Sequence, residues 1–255
     1  MDLKQTRILI TNDDGITSPG IRVLEKVAKS LSDDVWVVAP EREQSATGCS
    51  ITITSPIRIR RIHAKKFAVS GTPVDSVLVA VHKIMASSPP SLILSGINAG
   101  ANLGDNIWYS GTVGAAMEGT LLGIQSIALS QMRVYGKKIC WEQSSEYAGE
   151  IIGKITKQEW PAQTFININF PDIPKGMAPK IKLTPQGQTK LSNSLMEGLD
   201  PRGNEYLWIG LQRSGHNSFC NSDLYIVDSG YISITPLTLN MTNNESIKNF
   251  ERMFK

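Results

Sequence analysis

Two adjacent carboxylates, Asp13 and Asp14, follow the apolar run Arg7-Ile8-Leu9-Ile10-Thr11. Neighbouring carboxylates repel each other, and near a buried sheet edge each also loses hydration. A divalent cation would satisfy both, because hard ions prefer oxygen ligands. The competing reading is an ordinary Asx-type turn, since Asn12, Asp13, Asp14 and Gly15 are all turn formers. Two further stretches carry matching chemistry. The loop from Ala39 to Gly48 contains Ser45, and the glycine-rich run from Ser95 to Asp105 contains Asn98. Asp13, Asp14, Ser45 and Asn98 could together offer oxygens to a cation, with water completing its shell. Ser110, Gly111 and Thr112 open a helix, whose free amides and dipole favour an anion. A divalent metal beside an anion pocket suits phosphate-ester hydrolysis, the metal activating water and offsetting phosphoryl charge. Each motif alone also reads as a turn or a helix cap.

Other signatures fail. Gly96, Gly100 and Gly104 lack GxGxxG spacing, and no glycine loop ends in Gly-Lys-Ser/Thr. Asn12-Asp13-Asp14-Gly15 superficially resembles the DxDG signature of phospho-aspartyl phosphatases, but aligning the glycine puts Asn12 at the nucleophile, and an amide cannot form an acyl phosphate. His63, His82 and His216 form no spaced metal cluster. His82 reads as core or half-buried, and His216 belongs to a polar region that could fold over a site. Arg58, Arg60, Arg61, Lys65 and Lys66 read as solvent-facing strand charge, with substrate steering second.

The elements that must position these residues alternate between strand and helix. Short apolar runs at Ile8 to Thr11, Val35 to Ala39, Leu92 to Leu94 and Ser126 to Leu129 predict strands. Between them, Gly20 to Leu31, Thr72 to Met85 (with a Thr-Pro start) and Gly111 to Leu122 predict helices. That alternation calls for an α/β fold with a mostly parallel sheet flanked by helices. In such a sheet, ligands collect beyond the carboxyl ends of the strands, where all the loops above fall. Ile51 to Ile53 and Ile57 to Arg60 alternate like a hairpin with one wet face.

Beyond about residue 170 the pattern changes. Pro171, Pro174, Pro179 and Pro185 punctuate it, and Gln186 to Gly203 predicts a long loop or extended arm. Tyr206 to Ile209 and Tyr231 to Ile234 predict strands around that arm. Thr242-Asn243-Asn244-Glu245 has capping-box spacing before a short helix ending near Phe254. The division is residues 1–185 as catalytic core and 186–255 as arm, closing strands and terminal helix: one structural domain with an appendage.

At 255 residues the chain is long enough for one sizeable core. A formal charge of +3 is too small to imply nucleic-acid binding, and no stretch approaches a membrane span or a signal sequence. Cys49, Cys140 and Cys220 are an odd count without metal-ligand spacing, the pattern of reduced thiols in a cytoplasmic protein. Asn240-Met241-Thr242 matches a glycosylation acceptor, but without an export signal the match carries no weight.

ILITNDDGITSPGI, VVAPEREQSATGCSIT, GTPVDSV, SGINAGANLGDNIWYSGTVGAAMEG and DSGYISITPL, in that order across residues 7–239, resemble the successive motifs of the SurE family of survival-protein nucleotidases. The resemblance implies a Rossmann-like core, an extended arm and a swapped terminal helix in a homodimer or homotetramer. It implies metal-dependent hydrolysis of nucleoside 5′-monophosphates, and of 3′-monophosphates, to nucleoside and phosphate, with some members also shortening polyphosphate. The metal positions match Asp13, Asp14, Ser45 and Asn98, with one Mg²⁺ or Mn²⁺ per subunit. Asp13 and Asp14 are then also the catalytic pair, and Asn98, Ser110, Gly111 and Thr112 match the region around the substrate phosphate. Cys49 stands where some relatives carry His, and Trp108 replaces a smaller aliphatic residue. The alternatives are a broad phosphomonoesterase or exopolyphosphatase, and a nucleotide-binding module without turnover.

Overall fold

The computed structural model describes residues 2–134, 136–188, 190–191, 195–209, 213–214 and 219–254. The chain runs β1 (Arg7–Thr11), α1 (Pro19–Leu31), β2 (Asp34–Pro40), β3 (Ile59–His63), β4 (Lys66–Val69), α2 (Pro73–Val79), β5 (Leu92–Ala99), α3 (Gly111–Leu121), β6 (Gln125–Gln131), α4 (Glu142–Ile155), β7 (Thr164–Phe170) and β8 (Ile181–Leu183). It continues through β9 (Lys190–Leu191), β10 (Leu195–Leu199), β11 (Glu205–Ile209), β12 (Arg213–Ser214), α5 (Asp223–Asp228), β13 (Ile232–Thr238) and α6 (Asn244–Glu251). Nine strands form the main sheet in the order β3-β4-β2-β1-β5-β6-β7-β13-β8. All its pairs are parallel except β3 with β4 and β13 with β7.

The continuous apolar character of β1 follows from its place at the centre. Ile8 and Ile10 enter a core cluster with Ile21 and Leu24 of α1 and Ile151 and Ile152 of α4. Leu9, pointing the other way, packs with Val77 of α2, Ile93 of β5 and Ala115 of α3. Ile8, Leu9 and Ile10 are each fully buried, worth roughly 1.5–3 kcal/mol apiece in transfer free energy. From β1 the chain winds outward to β2 and β4, then returns across β1 to build β5, β6 and β7 in the other direction. The crevice between the carboxyl ends of β1 and β5 is therefore the reversal point, where such sheets bind ligands.

Several expectations need correction. Ile51 to Ile53 form no strand; the antiparallel hairpin is β3 with β4. Asp75 holds Thr52 instead, through its backbone N–H at 2.9 Å and its hydroxyl at 2.6 Å. The same carboxylate closes the Thr72/Asp75 capping box of α2. That helix stops at Val79 and widens into a looser turn over Ala80–Ile84, which leaves His82 exposed rather than half-buried. β5 runs to Ala99, well past Leu94, and so carries Gly96 and Asn98 itself. At the far end, the cap of α6 is Asn243, whose side chain accepts from Ser246 N–H, not Thr242; asparagine is the better N-cap. Helices α4 and α5 and strands β7 and β8 have no counterpart in the sequence expectations. Trp141, at the start of α4, makes no side-chain cap, so the usual start signal is missing there. His216 lies outside the described residues.

The segment beyond residue 185 has several parts, with β9 and β12 forming a short antiparallel pair of their own. β10 and β11 form a separate antiparallel hairpin, whereas α5 and β13 return to the core and place β13 inside the main sheet. Among the described residues no helix is long and apolar enough to cross a membrane.

Candidate active site

The turn after β1 is fixed from below. Asn12 donates its side-chain amide to Gly15 O at 3.0 Å and to Ser18 Oγ at 2.8 Å, tying the turn to the N-cap of α1. Gly15 has φ 93°, and a Cβ there would sit 3.2 Å from the Arg42 carbonyl carbon, so glycine is needed on both counts. Asp13 is only 4% exposed. Its Oδ1 accepts the Thr112 hydroxyl at 2.5 Å, and its backbone carbonyl accepts Gln44 N–H at 2.8 Å from the loop after β2. Asp14 Oδ2 accepts Ala99 N–H at 3.0 Å from the end of β5. Three loops are thus pinned together by two carboxylate residues.

Their electrostatics are unfavourable without a positive partner. Burial pushes the Asp13 carboxyl above the usual carboxylate range, with the Thr112 hydrogen bond pulling against it. Burial and then the charge of Asp13 raise Asp14 to about 6, and Glu43 adds to both shifts.

The glycine run forms the opposite wall. Gly96 has φ 142°, and a Cβ on it would meet Leu129 O at 2.3 Å, so the backbone of β5 lies against β6 there. Asn98 donates its amide NH₂ to Gly100 O at 2.8 Å, which leaves its carbonyl oxygen as the free group. Asn102 is held at three of its polar groups: its backbone N–H donates to Asn169 Oδ1, its side-chain NH₂ to Ser130 Oγ, and its backbone carbonyl accepts from both Asn167 and Asn169. A 3-10 turn over Gly104–Tyr109 follows, and Ser110 then caps α3 by accepting Val113 N–H.

These walls enclose an open cavity of about 330 Å³. Asp13, Asp14, Ser45, Asn98 and Ser110 all line it, as do Glu43, Asn102, Asn106, Tyr109 and Arg133. Thr112 and Gly111 do not. Thr112 stands behind Asp13 as its hydrogen-bond donor, and Gly111 packs so close that a Cβ would fall 2.9 Å from Asp13 Cβ. Both support the carboxylate rather than face the cavity. Ser45 Oγ donates to Glu43 Oε1 at 2.7 Å, leaving its lone pairs for a ligand. The donor set of two carboxylates, one amide oxygen and one hydroxyl fits a hard divalent cation.

Sequence reasoning missed part of this wall. Asn106 Oδ1 is buried with no hydrogen-bond partner among the described residues, an acceptor or donor-seeking group at the cavity. It lies at the end of the glycine-rich run, where an asparagine after aspartate reads as a turn former. Arg133 is the cavity's one cation among the described residues, and no local pattern marks it. Asn167 and Asn169 are fully buried on β7; two asparagines alternating in an apolar run were the available signal.

Comparison with known proteins gives a consistent set of likenesses. Residues 8–193 match the family model described as survival protein SurE. The 5′-nucleotidase SurE of Paramagnetospirillum magneticum is 47% identical over 253 residues, covering 99% of this chain and 97% of the relative. That of Rhodospirillum rubrum is 46% identical over 250 residues, covering 97% of this chain and 95% of the relative. Among solved structures, the SurE protein of Aquifex aeolicus superposes with a TM-score of 0.84 at 38% identity, covering 98% of this chain and all of that one.

Proposed function

Since this chain belongs to the SurE family, we propose that it is a nucleotidase: a divalent-metal-dependent enzyme that hydrolyses nucleoside 5′-monophosphates, and also 3′-monophosphates, to nucleoside and phosphate. The observation that carries this reading is the convergence of Asp13, Asp14, Ser45 and Asn98 on one cavity with the N-terminus of α3 in its wall. Those four residues would hold one Mg²⁺ or Mn²⁺ per subunit. When bound, the ion supplies activation of water and compensation of charge on the phosphoryl group.

The protein's own residues do the rest. Thr112 keeps Asp13 oriented, and Ala99 N–H keeps Asp14 oriented, so neither carboxylate must reorganise during the reaction. Ser110 begins a helix whose first amides and dipole favour the dianionic phosphate. Asn98 and Asn102 are held by hydrogen bonds of their own, and Asn106 offers the cavity an unused polar atom. Tyr109, at 55% exposure on the rim, is available to the nucleoside. Asn12 is engaged under the turn and is no nucleophile, and in the proposed route phosphate passes directly to water. Hydrolysis in ¹⁸O-labelled water should put one label into phosphate, and isolation of a phosphorylated peptide would exclude direct attack.

The free cysteines Cys49, Cys140 and Cys220 support a cytoplasmic enzyme. Exposed apolar side chains on the β10–β11 hairpin and α6 support a homodimer or homotetramer built through residues 186–255. The deciding experiment is phosphate release from AMP, abolished by EDTA and restored by Mg²⁺ or Mn²⁺. A panel of other monoesters and polyphosphate separates a nucleotidase from a broad phosphatase. Binding of AMP without release would leave only a nucleotide-binding module.

A further inference from the structure

Asp223, at the start of α5, is fully buried and does not line the cavity. Its carboxylate accepts three backbone N–H bonds: from Gly104 at 2.9 Å, from Gly187 at 2.7 Å and from Leu224 at 2.8 Å. Leu224 is its chain neighbour, but the other two are distant. Gly104 opens the 3-10 turn that carries Asn106 and Tyr109 and leads directly into Ser110. Gly187 stands at the root of the arm. A Cβ at Gly187 would come within 2.9 Å of Asp223 Oδ1, so this approach requires glycine. The neighbouring Gln186 donates its side-chain amide to Gly104 O at 3.2 Å. Gly104, with φ 53°, is therefore gripped on its N–H by α5 and on its C=O by the arm root.

We propose that Asp223 and Gln186 are positioning residues that fasten the arm root to the loop bearing Asn106, Tyr109 and Ser110, so that the arm fixes the geometry in which the substrate is held. A carboxylate suits this place because both its oxygens accept and neither donates. An asparagine would turn an NH₂ towards one of the backbone N–H groups and break that contact. The metal-facing side of the cavity is built on the turns after β1 and β2 and on the end of β5, and is held by Thr112, Gln44 and Ala99. Loss of Asp223 should thus loosen the substrate wall and spare the metal wall. The identity of the ligand rests on the proposed nucleotidase reading; the coupling does not.

The test compares full-length wild type with Asp223→Asn and with Gln186→Ala, which keeps the question open to refutation if the first variant folds poorly. The expected KM for AMP rises about tenfold in Asp223→Asn and about threefold in Gln186→Ala. The value of kcat stays within about twofold, and the Mg²⁺ concentration for half-maximal activity does not move. Amides of residues 104–110 should exchange hydrogen faster in both variants. A lower Tm with wild-type KM and wild-type exchange would overturn the proposal, as would equal losses in KM, kcat and Mg²⁺ response. If wild type binds AMP without releasing phosphate, the nucleotidase reading falls. Calorimetric AMP affinity then replaces KM: weaker binding in the variants supports the coupling, and equal binding overturns it.

Discussion

At the carboxyl ends of β1, β5 and β7 the fully covered side chains include Asn12, Ser95, Thr112, Asn167 and Asn169. In the β10–β11 hairpin, α6 and the residues just after it, the side chains open to solvent include Met196, Leu207, Trp208, Ile209, Phe250 and Phe254. One region buries polar groups and the other exposes apolar ones, so each departs from the usual distribution in the opposite sense. The costs differ in kind. A buried polar group must find hydrogen bonds inside the chain or from a ligand: Thr112 and Asn169 find theirs inside the chain, whereas Asn12 Oδ1, Ser95 Oγ and Asn167 Oδ1 have no partner among the described residues. An exposed apolar patch can be relieved only from outside, by another surface. The cavity end is thus specified by the chain itself and completed by something small. The arm is specified only in part and completed by something large.

The sharpest way to break this comparison is at Asp13. Asp13→Asn keeps the shape and removes the charge, and it should cut kcat/KM by hundreds-fold or more if metal activation contributes several kcal/mol. The oligomeric mass should not change. A variant that keeps wild-type activity in metal-depleted buffer would remove the mechanism.

Asp14 tests whether the cavity carries a cost that a ligand relieves. Its carboxyl is raised to about 6 from an unfolded value near 3.8. Between those values the folded protein binds more protons than the unfolded one, so this group lowers stability as pH rises through the interval. Metal-free Asp14→Asn should therefore be more stable than wild type at pH 8, by up to about 2–3 kcal/mol, with the gap closing towards pH 4. Saturating Mg²⁺ should stabilise wild type and not the variant. Thermal melts across pH, with and without metal, read this directly; a gap independent of pH would mean that Asp14 carries no such cost.

Thr112 tests the support behind the charge. Thr112→Val removes the hydroxyl on Asp13 without changing shape, and loss of one hydrogen bond to a charged group is worth roughly 1.5–3 kcal/mol. Activity should fall about tenfold or somewhat more, with a higher Mg²⁺ requirement. Wild-type metal response in this variant would show that Thr112 meets the substrate, as the sequence had suggested, rather than the carboxylate.

How far each region was legible follows from the same contrast. Strand periodicity exposed β1, β2, β5 and β6, because a both-face-buried strand writes itself as an apolar run. Asp13, Asp14, Ser45, Asn98 and Ser110 each read alone as turn or cap residues; what marked them together was their shared oxygen chemistry in loops expected at one end of the sheet, and the sheet brings them to one cavity. For Gly111 and Thr112 a helix start was visible in the sequence, but its packing against Asp13 was not. Asn167, Asn169 and Asp223 act across 65 to 119 residues of chain, and local pattern carries no record of such partners. The hairpin placed at Ile51 to Arg60 failed for a related reason: Asp75, more than twenty residues away, takes the hydrogen bonds of Thr52.

The smallest effect on chemistry should come from the arm's end. Helix α6 spans only Asn244–Glu251 and buries none of its residues, and a helix that short is marginal in water without a packing surface. Ile247, Phe250, Met253 and Phe254 are all exposed, Phe254 at 89%. The β10–β11 hairpin has the same difficulty, since two strands alone rarely hold. A symmetric partner would bury both elements at once, because a two-fold interface presents the same patch from each side. Deleting residues 242–255 should therefore lower the oligomeric mass and the Tm. Neither Asp13 nor Asp14 touches that segment, so Mg²⁺ response should be unchanged and kcat per site should stay within about twofold. Light scattering that finds the full-length protein monomeric at micromolar concentration would defeat the idea. So would a truncated chain with the same mass and melting temperature. A truncation that also destroyed metal response would dissolve the division between the two regions, since the arm's end would then be part of the cavity's support.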